Sequence, residues 1–188
     1  MSDTRKTGIL LFVFFFCVYL LTASIETPFT GDSLHMMADA KHILQSGFVR
    51  ESETGEPLLW KYGVGQPLLN LPVVPFFRRA EGATHRRARL WWSLPVSLLP
   101  ALIGAGICVL VYAGALRLEL SRHTAVAVAG LCGLTTMVWP YTQTLFADAA
   151  LGLFWLAAFY ALLCFRDTRG WWWAAAAGAA AGYAVLVK

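Results

Sequence analysis

The chain has 188 residues, 58% of them hydrophobic and 14% charged, with a formal net charge of +4. A soluble domain carries about 25% charged residues, so this composition excludes an ordinary water-soluble globule and makes lipid the main solvent. The pI near 9.0 suits contact with anionic lipid, and no nucleic-acid-binding motif accompanies it.

A bilayer-spanning helix needs roughly 20 apolar residues, within about 17 to 25. Uncharged stretches of that length recur at 7–25, 90–116, 124–141, 149–165 and 170–187. Backbone groups in lipid must be satisfied within their own segment, so these spans are helices. The first has Arg5 and Lys6 ahead of it and "TAS" behind, the outline of a signal peptide. Its apolar core exceeds the roughly 7 to 15 residues of such peptides, so it reads as an uncleaved anchor.

Between the first two spans lies a polar segment at 26–89, long enough to hold most of the water-facing chemistry. Within it, 32–45 reads as a helix, N-capped by Asp32 or Ser33 and stopped by Gly47. Leu34, Met37, Ala38 and Leu44 give it an apolar side that can lie along a membrane surface. The run "LLWKYGVGQPLLNLPVVPFF" (58–77) is apolar but broken by Pro67, Pro72 and Pro75. It reads as re-entrant or interfacial structure. The basic run "RRAEGATHRRAR" (78–89) reads as an interfacial anchor that can also hold anionic head groups.

The remaining spans carry weaker signals. Aromatic residues gather at the expected interfaces: Trp91 and Trp92, Trp139 and Tyr141, and Trp171 to Trp173. Gly178 and Gly182 form a GxxxG spacing that permits close helix packing, or belong to a merely alanine-rich helix. Cys17, Cys108, Cys132 and Cys164 each sit in a different span without CxxC spacing, as small apolar residues rather than disulfide partners or metal ligands. Charge bias does not orient the chain, because the long loop holds most of the arginines and such loops translocate regardless. With the N-terminus inside, Asp32 and Asp148 emerge on one outer face. A sixth span at 62–77 would put them on opposite faces.

Ionisable residues at membrane boundaries are functional candidates, although a carboxylate there can also simply cap a helix. The order is an acid after the first span, a loop helix, "KYGVGQPLLNLP", an arginine-led second span, "TQTLFADAALGLFWLAAFYALL" and "GAAAGYAVLVK". This resembles the N-terminal part of the GT-C superfamily of membrane glycosyltransferases, of the protein O-mannosyltransferase and aminoarabinose transferase (family 39) type. Asp32, Lys61, Gly65, Pro67 and Asp148 fall on that family's pattern. Tyr62-Gly63 stands where the family often has a proline-containing step.

The resemblance implies an all-α, multi-pass transmembrane bundle of about five spans, with one long extracytoplasmic loop containing interfacial helices, in the inner or plasma membrane. It implies transfer of a sugar from a polyprenyl-phosphate donor to an acceptor at the outer face, the acceptor being unidentified. Inverting transfer needs a carboxylate base, for which Asp32 is the candidate. The phosphate leaving group needs a cation, Lys61 first and Lys188 second, with Asp148 as the second acid at the site. His35, Asp39 and His42 share one helix face at spacings that can bind a divalent metal or simply face water. Metal therefore stays open. Family members carry further spans, so the expectation is the N-terminal part of a longer enzyme. The alternative is a non-enzymatic membrane subunit or transporter-like component whose loop binds a partner.

Overall fold

The computed structural model describes residues 3–23, 31–48 and 63–188. Every regular element among them is helical: α1 (Asp3–Leu21), α2 (Asp32–Ser46), α3 (Gly65–Asn70), a 3-10 turn (Leu71–Val73), α4 (Val74–Glu81), α5 (Arg86–Arg117), α6 (Arg122–Thr135), α7 (Val138–Tyr141), α8 (Ala147–Thr168) and α9 (Trp171–Val187). Helices α1, α5 and α8 are long and apolar enough to cross a membrane, and α9 is a shorter apolar helix. This is an all-α membrane helical bundle.

Helix α5 is its spine. At 32 residues it is about 48 Å long, more than the roughly 30 Å hydrocarbon core, so its ends lie outside that core. Helix α1 lies antiparallel against it: Tyr112 Oη donates to the Thr4 carbonyl near one end, and Tyr19 packs with Ala101, Ala105 and Cys108 near the other. Helix α6 joins this seam at Gly133, where a Cβ would stand 2.4 Å from the Phe15 ring and 2.8 Å from Tyr19 Oη. Without that Cβ, Tyr19 Oη donates to the Gly133 carbonyl at 2.9 Å. The buried phenol is therefore satisfied, as a low-dielectric core requires.

The span expected at 124–141 is not one helix. Helix α6 stops at Thr135, and a break at Thr136 separates it from the single turn α7. The cause is local. Thr135 Oγ1 and Thr136 Oγ1 hydrogen-bond back to the Leu131 and Cys132 carbonyls, and Thr136 Oγ1 also accepts from Val138 N at 3.3 Å. Hydroxyls that compete for the backbone, with Pro140 close behind, end a helix that hydropathy alone would continue.

The stretch 64–81 holds no helix long enough to be a candidate span. It folds into α3, the 3-10 turn and α4, with prolines at the joins, and lies beside α2 at one end of the bundle. Met37, Ala40, Val74, Phe77, Val96 and Leu145 form the core of that layer. The expected apolar side of α2 needs correction here. Its buried residues are Ser33, Met36, Met37, Asp39, Ala40 and Ile43, while Leu34, Ala38 and Leu44 are exposed. The cap also shifts: the N-cap position is Gly31, at φ 43°, and Asp32 is the first helical residue. Gly47, at φ 80°, closes the helix with its N–H on the Ile43 carbonyl, the left-handed geometry glycine provides most cheaply.

Candidate functional site

Two ends of the bundle can be told apart by their contacts. One holds the start of α1, the end of α5, the start of α6 and the end of α8, joined by Arg122 to Thr7 and Arg117 to Asp167. The other holds the end of α1, α7, the start of α8 and the end of α9. There Trp139 Nε1 and Gln143 Nε2 both donate to Thr22 Oγ1. Helix α2 belongs to this second end, because Met37 and Ala40 share a core with Leu145, three residues before Asp148.

Asp148 lies in the first turn of α8, where the helix N-terminus favours a carboxylate. Lys188, just past α9, reaches it: Nζ stands 3.5 Å from Asp148 Oδ1, with the side chains 73% and 48% exposed. The pair is long and wet, so it holds little energy and either partner can turn to a ligand. Beneath Asp148 runs a groove of about 470 Å³. Its walls, among them Cys132, Val138, Trp155 and Leu156, are apolar.

The loop seats itself on the same spot. A Cβ on Gly63 would stand 2.4 Å from the Leu186 carbonyl oxygen and 2.8 Å from the Lys188 carbonyl carbon; on Gly65 it would stand 2.7 Å from the backbone of Leu186 and Val187. Only glycine permits this backbone-on-backbone approach. Tyr183 Oη donates to the Gly65 carbonyl at 2.9 Å and fixes the register. The Gly-Val-Gly step thus packs α3 on the end of α9, next to Lys188. Lys61 lies outside the described residues.

The sequence-derived candidates therefore separate. Asp148 and Lys188 are in contact, and Asp32 is exposed at the start of α2 at the same end. His35 is exposed, His42 half-buried and Asp39 buried. Among the described residues no three His, Cys, Asp or Glu side chains gather as a metal-binding group, so His35, Asp39 and His42 share a helix without forming one.

Sequence reasoning missed Gln66 and Asn70. Both are fully buried, and Gln66 Nε2 donates to Asn70 Oδ1 at 3.1 Å. Gln66 Oε1 and Asn70 Nδ2 have no hydrogen-bond partner among the described residues. Orphaned amide groups in a core are expensive. The available signal was the i, i+4 spacing of two amides inside an apolar run directly after Gly-Val-Gly.

The architecture is that of an all-α membrane bundle with an acid–lysine pair and a glycine-packed loop at one end. The family model for dolichyl-phosphate-mannose-protein mannosyltransferases matches residues 93–188. That is just over half of the chain, and the chain belongs to this family: membrane glycosyltransferases that use a polyprenyl-phosphate-linked sugar donor. The matched stretch contains Asp148 and Lys188, whereas Asp32 and the glycine loop precede it. No curated protein and no solved structure matches the chain.

Proposed function

We propose that this chain carries the donor-binding part of a glycosyltransferase working at the outer membrane face. One observation carries the reading: Asp148, Lys188 and the Gly63–Gly65 loop meet at the end of the bundle that also holds Asp32. Asp32, the base, takes the proton from the acceptor nucleophile as that nucleophile attacks the anomeric carbon. The bond from that carbon to the phosphate oxygen breaks, and polyprenyl phosphate leaves with the electron pair. Lys188, assisted by Lys61, neutralises the developing phosphate charge. Asp148 positions the Lys188 ammonium until the phosphate replaces it as partner. The membrane is the plasma or inner membrane, crossed several times, with the N-terminus inside.

Two experiments test this. Protein reconstituted in vesicles with polyprenyl-phosphate-linked mannose and a membrane extract as the source of acceptor is expected to transfer the mannose to that acceptor and release polyprenyl phosphate. Lys188→Met should slow that release at least tenfold with helicity unchanged, and an unaffected rate refutes Lys188 as the phosphate cation. The second is topology. In a background lacking the four native cysteines, Ser46→Cys and Met137→Cys should both react with an impermeant thiol reagent from outside, and His123→Cys should not. All three positions are exposed. Labelling of Ser46→Cys and Met137→Cys from opposite sides ends the shared-site reading.

A further inference from the structure

We propose that the groove between α1, α5 and α8, at the end of the bundle away from Asp148 and Lys188, binds an anionic phospholipid. The groove encloses about 760 Å³, within the range of a site that holds a small ligand or one lipid segment. Its body is apolar, formed by Ile9, Phe12, Val109 and Ala113, and its mouth carries Arg5 and Arg117. From Thr4 to Phe12 the wall descends eight residues of helix, about 12 Å. That depth takes the upper part of an acyl chain below a head group held at the helix ends. Tyr112 backs the upper part of the groove, 97% buried, with its hydroxyl on the Thr4 carbonyl.

Charge selects the occupant. Arg5 is exposed and makes no ion pair or hydrogen bond with the described residues. Arg117 spends Nη1 on Asp167 at 2.9 Å, with its side chain 35% exposed. Tyr160, on the groove wall, is a second partner, and the five-donor guanidinium fork still has donors for a further acceptor. Around them, Lys6, Arg122, Arg166 and Arg169 make six cations at this end against Asp3, Glu119 and Asp167. Two guanidinium groups above an apolar furrow match a phosphodiester above an acyl chain, and basic pockets between membrane helices hold such head groups. A zwitterionic lipid would bring its own cation into a field that is already positive.

The groove is separate from the proposed donor site, because its mouth lies at Arg117, beside Asp167 near the end of α8, whereas Asp148 lies in the first turn of that helix. The test is native mass spectrometry of the whole chain extracted from vesicles of equal phosphatidylglycerol and phosphatidylcholine, doped with polyprenyl phosphate. Wild type is expected to retain phosphatidylglycerol in preference to phosphatidylcholine. Arg5→Ala should cut that retention about fivefold, and Ala113→Trp, which fills the furrow and leaves every charge, should cut it as much. Arg169→Ala, which lowers the positive field without touching the groove, should cut it less than about twofold. Equal retention of the two phospholipids overturns the proposal, as does retention unchanged in both groove variants. Preference for polyprenyl phosphate at this groove, or a protein segment cross-linking to Ala113→Cys in its place, overturns it too.

Discussion

The two ends of the bundle each tie helices together with an acid and a base, and they do so differently. At one end Asp167 accepts from Arg117 at 2.9 Å and from Arg166 at 2.9 Å, while Arg166 also donates to the Arg117 carbonyl. Three groups satisfy one another, so the link between α5 and the end of α8 has a fixed geometry. At the other end Asp148 and Lys188 make a single contact at 3.5 Å with both side chains largely in water. A closed network of short bonds serves the fold, whereas a long, single, solvated pair leaves its members free to meet a substrate. The difference separates structural charge from charge available for chemistry, although both are ion pairs between helices.

The largest effect should come from the acids. Asp32→Asn is expected to lower transferase turnover by about 10² to 10⁴, measured as polyprenyl phosphate released per minute in vesicles. Asp167→Asn should leave it within about threefold. Equal losses would erase the distinction between the two ends.

The glycine contact comes next. Gly65→Ala places a methyl group 2.7 Å from the Leu186 backbone, and such overpacking costs about 1–3 kcal/mol. Thermal unfolding in detergent should show the loss, with turnover falling alongside because the loop leaves α9. Gly178→Ala, whose added Cβ meets nothing within 4 Å, should be neutral or slightly stabilising. At the basic end, Ser121→Ala removes the side chain that accepts from Thr124 N at the start of α6. It should cost about 1 kcal/mol and leave turnover per folded molecule unchanged. A drop in that turnover would mean the basic end also serves the reaction. The smallest effect belongs to the exposed pair. A double-mutant cycle on Asp148 and Lys188 should give at most about 1 kcal/mol of coupling in stability, yet a clear non-additive loss in turnover. Coupling in stability alone would make the pair a second structural clamp.

Much of this molecule is legible in its sequence, for physical reasons. Long apolar runs in a charge-poor chain can satisfy their backbones only as helices, which fixes the all-α class and the positions of α1, α5 and α8. Gly47 stops α2 because its left-handed φ suits glycine. Which residues meet across the fold was not legible. The third apolar run looks like a span by hydropathy and breaks at Thr136, since hydroxyl back-bonds and Pro140 act through geometry that hydropathy does not encode. The buried side of α2 faces the α3–α4 layer, so Met36, Ala40 and Ile43 are inside and Leu34 and Leu44 outside; composition gave no direction for that face. The Gly178–Gly182 spacing allowed either a close helix contact or a merely alanine-rich helix, and among the described residues both glycines stand open, as the second reading has it.

The same division holds at the site. The sequence by itself determined a lipid-solvated helical chain and singled out Asp32 and Asp148, each directly after or before an apolar run, as candidates. Only the tertiary structure decided that Asp148 meets Lys188, forty residues away. Helices α8 and α9 pack as a hairpin, and Gly63 and Gly65 let a distant loop close on its end. Burial of polar groups depends on neighbours brought from far along the chain, and a local reading of residues contains no term for that.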